Sequence, residues 1–333
     1  MRASSACSHA CATGHWDAHE VVCTPLARAR VMAGAGELQG VTAILEVRLQ
    51  NLRAIKGSDD RETVGAIVEL GRMFQGQGKY GEAEALYREV VERRRRVLGP
   101  EHGDTLVALT GLGQLLRAQG RLAEAEALLR EALTAQRRTL GPAHISTLDS
   151  SATFGQLLLE QDKLVPAERV FRHALTLARE TLEGDHKTKL LLIYGLAHSL
   201  RKQGRLAEAQ PLALEDLQAS RRSLGNSHPD TLASIGSYAS LLKACGRLAE
   251  AEPLMREDVA TSRHVQPGHP STMTRIYNFA DLLKQQGRLD EAEELYREAL
   301  AGFQLALGAA HASTRGTAAA LERVLRAKAT AAR

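Results

Sequence analysis

Aromatic residues make up only 4% of this chain, with a single tryptophan, so stacked rings cannot furnish its core. Alanine and leucine must supply most of the buried surface, which suits closely packed helices. Cysteine is scarce as well. Three of the four, Cys7, Cys11 and Cys23, crowd the N-terminus, and no disulfide framework can be drawn from them, which points to a reducing, cytoplasmic setting. No apolar run approaches the roughly 18 residues that a membrane span needs, so no membrane partner is expected. The net charge of +4 on 333 residues is too small to argue for nucleic acid. Also missing are HExxH, Walker and GxSxG patterns and any recurring acid pair, so neither enzyme chemistry nor a cofactor is expected. The one GxGxxG match, Gly76 to Gly81, joins two helical patterns instead of following a strand, and is set aside.

What the chain has is a repeat. Gly120-Arg121-Leu122-Ala123-Glu124-Ala125-Glu126 returns with variations at Gly78, Gly204, Gly246 and Gly287, and more weakly at Asp162. Successive copies stand 42, 42, 42, 42 and 41 residues apart. A fixed period in the range of about 20–50 residues marks stacked supersecondary units. Each unit reads as a helical hairpin. In the second, Leu109, Leu112, Gly113 and Leu116 form one stripe of a helix A, and Gly120 ends it. Leu122, Ala125, Leu129 and Ala132 give helix B its inner face. A small residue recurs on helix A as Gly71, Gly113, Gly155, Ala197, Ala239 and Ala280; its helix B counterpart is Ala83, Ala125, Ala167, Ala209, Ala251 and Ala292. Two facing small residues would let the paired helices approach closely.

These spacings resemble the tetratricopeptide repeat, whose usual unit has about 34 residues. The eight extra residues here fall beyond Ala132, in the tail of helix B and its loop. With linkers such as Leu98-Gly99-Pro100-Glu101-His102 and Leu224-Gly225-Asn226-Ser227-His228, the long unit is similar to kinesin light chains and related arrays. The resemblance implies an all-α solenoid of six hairpins over 57–308, wound into a right-handed superhelix. Residues 1–36 read as a disordered lead, 37–56 as a degenerate repeat helix carrying Val41, Leu45, Leu49 and Leu52, and 309–333 as a capping helix and tail. That last helix keeps Leu321 and Leu325 but has Glu322 where the other repeats hold a small residue.

Histidines 102, 144, 186, 228, 269 and 311 recur with the period. Neighbouring repeats lie about 10 Å apart, the spacing of packed helices, far beyond the ~2 Å of a zinc ligand, so linker packing explains the histidines and no metal is assigned to them. Two places later stand Asp104, Ser146, Thr188, Asp230, Ser271 and Ser313, all suited to capping helix A. Arginines such as Arg93 to Arg96, Arg221 and Arg222 complement the negative end of helix B. Cys7, Cys11, His15, His19 and Cys23 are spaced by four, but Thr13-Gly14 interrupts any helix there, and no metal is assigned to them. Asp216 and Asp258 replace the alanine found at 132 and 299, which predicts locally looser packing around a lone carboxylate.

In tetratricopeptide arrays the groove is lined by helix A residues pointing away from helix B. Four places after the small residue stand Gln75, Arg117, Leu159, Arg201, Lys243, Lys284 and Arg326, with Lys202 beside Arg201. On the inner surface these would make a basic ladder attractive to an acidic, extended peptide. The expected groove is Arg117, Tyr194, His198, Arg201, Lys202, Lys243, Tyr277, Asn278 and Lys284, the tyrosines serving as anchors. Kinesin light chains carry helix A asparagines that hold peptide backbones; the matching series here is Glu69, Gly111, Thr153, Gly195, Ser237 and Asn278, so only Asn278 keeps the amide. Their heptad coiled coil, which joins the heavy chain, has no counterpart in residues 1–56, so the heavy chain is not an expected partner. The reading is a non-enzymatic interaction scaffold. Its alternatives are a structural or self-associating subunit using the alanine-rich convex face, or a fragment of a larger repeat protein.

Overall fold

The computed structural model describes residues 38–331, so the expected lead over 1–36 and its Cys/His series lie outside the described residues. Every regular element among the described residues is an α-helix. They fall into two compact units, residues up to 161 and residues from 162 onward.

The first unit holds α1 (Leu38–Lys56), α2 (Arg61–Gly76), α3 (Tyr80–Leu98), α4 (Gly103–Ala118), α5 (Leu122–Thr139) and α6 (Ile145–Glu160). Helices α2/α3 and α4/α5 pack as hairpins, and α1 buries Val41, Leu45, Leu49 and Leu52. The second unit holds α7 (Leu164–Thr181), α8 (Lys187–Lys202), α9 (Leu206–Leu224), α10 (Pro229–Ala244), α11 (Leu248–Val265), α12 (Pro270–Gln285), α13 (Leu289–Leu307) and α14 (Ala312–Ala331). Here α8/α9, α10/α11 and α12/α13 are the hairpins. The two helices expected to form the third hairpin, α6 and α7, belong one to each unit.

The turn between A and B is the same device each time. Glycine at 78, 120, 204, 246 and 287 takes a positive φ of 74–80°, the left-handed conformation that closes a helix, whereas the third turn places Asp162 there at 58°. The helix B alanines at 83, 125, 167, 209, 251 and 292 are fully buried. The facing pair differs from expectation, because the helix A small residue meets a large side chain. A Cβ on Gly113 would lie 2.6 Å from Leu129, and one on Gly71 3.2 Å from Tyr87. Small-against-large interdigitation fills the interface, whereas two facing alanines would leave a void.

Helix A starts on a histidine. The Nδ1 atoms of His102, His144, His186 and His228 accept the backbone N–H two residues on at 3.2 Å, as does Asp60 at 2.8 Å in the first repeat. The capping residue is therefore the histidine itself, and Asp104, Ser146, Thr188 and Asp230 supply the N–H that it accepts. The periodic histidines thus have a periodic job at the start of helix A.

The acid-alanine-acid triplet is a staple between repeats. Arg121 in its turn donates to Glu124 of its own helix at 2.7 Å and back to Glu84 of the preceding repeat at 2.8 Å. Arg205 does the same with Glu208 and Glu168, and Arg288 with Glu291 and Glu252. The arginines at the end of helix B form a second row of cross-repeat pairs, such as Arg95 with Glu131 and Arg221 with Glu257, beyond any effect of the helix dipole.

Asp216 and Asp258 are each 3% exposed, yet neither is lone. Asp258 takes the Arg275 guanidinium of the next repeat at 2.8 Å, and Asp216 has the Ser234 hydroxyl. In α14 the buried stripe is Thr317, Ala320 and Val324; Leu325, expected to face inward, is exposed, and so is Glu322.

Candidate functional site: a polar groove along three A helices

Helices α8, α10 and α12, the A helices of successive repeats, stand side by side. Between them runs a groove of about 430 Å³. Tyr194, His198 and Arg201 of α8 form one wall; Gly236, Ser237 and Ser240 of α10 lie in the middle; Thr274, Arg275 and Asn278 of α12 form the other wall. Asp258 and Met255 of α11 also line it.

The chemistry at the Arg201 end follows from one periodic rule. The cation four places after the small residue reaches the residue one place after the small residue in the following repeat. Arg117 donates to Gln156 at 2.7 Å in this way, and Lys243 to Asp281 at 2.9 Å. For Arg201 the corresponding residue is Ser240, whose side chain is too short to take part. Arg201 Nε is buried and takes no hydrogen-bond partner among the described residues. The groove opens where this contact fails.

The neighbours of Arg201 are tuned by the same burial. Burial, aided by the charges of Arg201 and Lys202, lowers His198 to about 4, so at neutral pH its imidazole is uncharged and offers one donor and one acceptor. Its ring lies 6.2 Å from that of Tyr194, whose hydroxyl is pushed up by burial. Across the groove, burial raises Asp258 to about 6 despite Arg275 beside it.

Four of the nine expected residues, Tyr194, His198, Arg201 and Asn278, line this groove. The other five do not, and the expected basic ladder is corrected accordingly. Lys243 and Lys284 both bind the Asp281 carboxylate, at 2.9 and 2.8 Å; burial alone would raise that carboxyl, but the two ammoniums hold it down at about 2. Two positive charges thus share one half-buried negative charge. Lys202 lies 3.3 Å from Asp162. Arg117 belongs to the first unit, where Gln156 takes it and Glu160 lies 3.7 Å away. Tyr277 packs edge-on against the fully buried Tyr296, with ring centres 5.3 Å apart, and so serves the core.

The missing asparagines also have a structural cause. A Cβ on Gly195 would stand 2.3 Å from the ring of Phe171, and one on Gly111 would stand 3.1 Å from Tyr87. At these two positions aromatic side chains of the preceding helix B occupy the space an amide would need. Sequence reasoning missed Ser237, Ser240, Thr274 and Arg275 as groove residues; for Ser240 alone, the residue series one place beyond the small residue (Gln114, Gln156, His198, Ser240, Asp281) holds the signal.

The chain belongs to the tetratricopeptide repeat family: models of that repeat match residues 62–138, 112–180 and 189–263, more than half of the chain, and a further one matches 272–313. Its repeats are of the kinesin light chain-like kind. A Podospora anserina structure described as a kinesin light chain with nearly identical TPR-like repeats is 26% identical, at a TM-score of 0.52, covering 61% of this chain and 96% of that one. BtubC (BKLC) from P. vanneervenii, 18% identical, shares the fold at a TM-score of 0.58 over 70% of this chain and 93% of its own. So does a Rap protein complexed with Competence and Sporulation Factor, 13% identical, at 0.58 over 92% and 86%. No curated protein matches the chain. Among the described residues no helix is long and apolar enough to cross a membrane. The chain is a helical repeat protein of a family whose members are generally non-enzymatic interaction scaffolds.

Proposed function

We propose that the groove along α8, α10 and α12 binds an extended peptide segment of a partner protein, with an acidic side chain seated at Arg201. The observation that carries this reading is the buried Arg201 Nε, without a hydrogen-bond partner among the described residues, on the wall of a polar groove. A carboxylate there gains charge-assisted hydrogen bonds and relieves a buried donor at once. Asn278 on the opposite wall is the one position that retains the backbone-holding amide of kinesin light chains, and Tyr194 offers a ring for a side chain to pack on. The solved Rap structure of this fold holds a bound factor, which is in keeping with a binding role for such arrays.

The test is selection of a displayed random peptide library on the protein, followed by fluorescence anisotropy with the enriched peptides. Arg201→Gln should weaken their binding about tenfold, the size of one lost hydrogen bond to a charged group. Enriched peptides that bind R201Q and N278A as well as the wild type would overturn the groove assignment.

A further inference from the structure

The sharing of Asp281 by two lysines changes what kind of acidic ligand fits. Resting on the peptide-groove reading above, we propose that the groove reads one isolated carboxylate and discriminates against acid-rich segments, and that Asp281 is the residue that sets this specificity.

The argument starts from position. Ser240 and Asn278 line the groove, and Lys243 and Asp281 stand three residues further along the same two helices. Residues three apart share a helix face, so the Lys243–Asp281–Lys284 cluster borders the groove at the C-terminal ends of α10 and α12. Without Asp281 that border would carry two ammoniums, and a second or third ligand carboxylate would find a partner there. With it, Lys243 Nζ lies 2.9 Å from Oδ2 and Lys284 Nζ 2.8 Å from Oδ1. Gln285 donates to the same Oδ2 at 3.1 Å, and the Tyr296 hydroxyl lies 3.4 Å from Oδ1. A ligand carboxylate arriving here would have to compete with Asp281 for both ammoniums, and it would meet a cluster whose charge Asp281 has cut from +2 to +1. The other end differs, since Arg201 has no such competitor: at its reach the chain supplies Ser240. Asp281 is also the sole acid in its periodic series, where Arg72, Gln114, Gln156, His198 and Ser240 precede it. The remaining charges on the groove walls, Arg275 and Asp258, are engaged with each other at 2.8 Å and add no net attraction. Specificity of this kind works by exclusion as much as by attraction.

The experiment uses the full chain, as wild type and as Asp281→Asn and Arg201→Gln, with thermal melting to confirm that each variant folds. Displayed random peptides are selected on each, and a singly acidic enriched peptide is compared by anisotropy with a derivative carrying two further aspartates downstream. The wild type should bind the two peptides within about twofold of each other. D281N should bind the tri-acidic peptide about fivefold more tightly than the singly acidic one, the upper range of an exposed ion pair, with the gain lost in high salt. Equal acid content in peptides enriched by the wild type and D281N, or a wild type that already prefers the tri-acidic peptide, would overturn the assignment of Asp281. Failure of the wild type to enrich any peptide over R201Q would instead sink the underlying groove reading, so the two failures are distinct.

Discussion

Glu252 of α11 accepts the Arg288 guanidinium at 2.7 Å from the turn of the following repeat, and Arg256 donates to the same oxygen at 2.8 Å. Those arginines, with Gln286, hold the Glu252 carboxyl down at about 2. Its folded-state value lies below the ordinary 4.5, so the stabilisation is complete above about pH 4.5 and drains away as pH falls toward 2. Acid titration of the thermal midpoint should show that window, and Glu252→Gln should shrink it.

The fourth repeat lacks this staple. Gln210 occupies the place of Glu84, Glu168 and Glu252, and the Arg247 guanidinium donates instead to Glu250, in the helix that follows its own turn. Gln210→Glu should add the cross-repeat pair and stabilise by up to about 1 kcal/mol at low salt, fading in high salt. A denaturant midpoint unmoved by the substitution would show that Arg247 cannot reach it.

Asp216 sits where other repeats place alanine, and burial raises it to about 6 from 3.8. Because the folded state holds its proton more tightly, wild-type stability should rise as pH drops from above 6 to about 3.8. Asp216→Ala should stabilise the protein at pH 7 by on the order of 2 kcal/mol and flatten part of this rise. Asp258, also raised to about 6, keeps the remainder. Melting curves of D216A at pH 5 and 7 check both signs.

Gly195 has no room for a side chain against Phe171. Gly195→Ala should therefore destabilise by about 1–3 kcal/mol through overpacking, and the double substitution with Phe171→Leu should recover part of the loss. Additivity of the two changes in a double-mutant cycle would contradict the contact.

His144 caps α6 through Nδ1. His144→Ala should lower stability by about 1 kcal/mol, and His144→Asp should largely restore it, since Asp60 performs the same task for α2. Equal stability of H144A and wild type would remove histidine capping from the account.

The repeat was legible because period, glycine turn and apolar stripe all recur, and the hairpins at 61–98 and 103–139 stand where the pattern puts them. The caps were misplaced by two residues because histidine is an uncommon N-cap and Asp104 or Ser146 looks more suitable. Half-legible describes the groove. Arg201 and Asn278 announce themselves on helix A, but whether a cation is available depends on a residue some 39 positions later, as Arg117 and Gln156 show. The ladder of like residues in Arg117, Arg201 and Lys243 hid three different electrostatic fates, set by Gln156, Ser240 and Asp281.

The staples joining Arg121 to Glu84 and Arg205 to Glu168 each reach back 37 residues, and Arg288 reaches Glu252 over 36. Each bond therefore looks only one unit back. A gene that duplicated or deleted one whole unit other than the Gln210 unit would still present each stapled turn arginine with a glutamate, so unequal recombination could lengthen or shorten such a chain without severing those fastenings. Insertions out of that phase would break them at once, and genetic drift in array length is thereby confined to whole-unit steps.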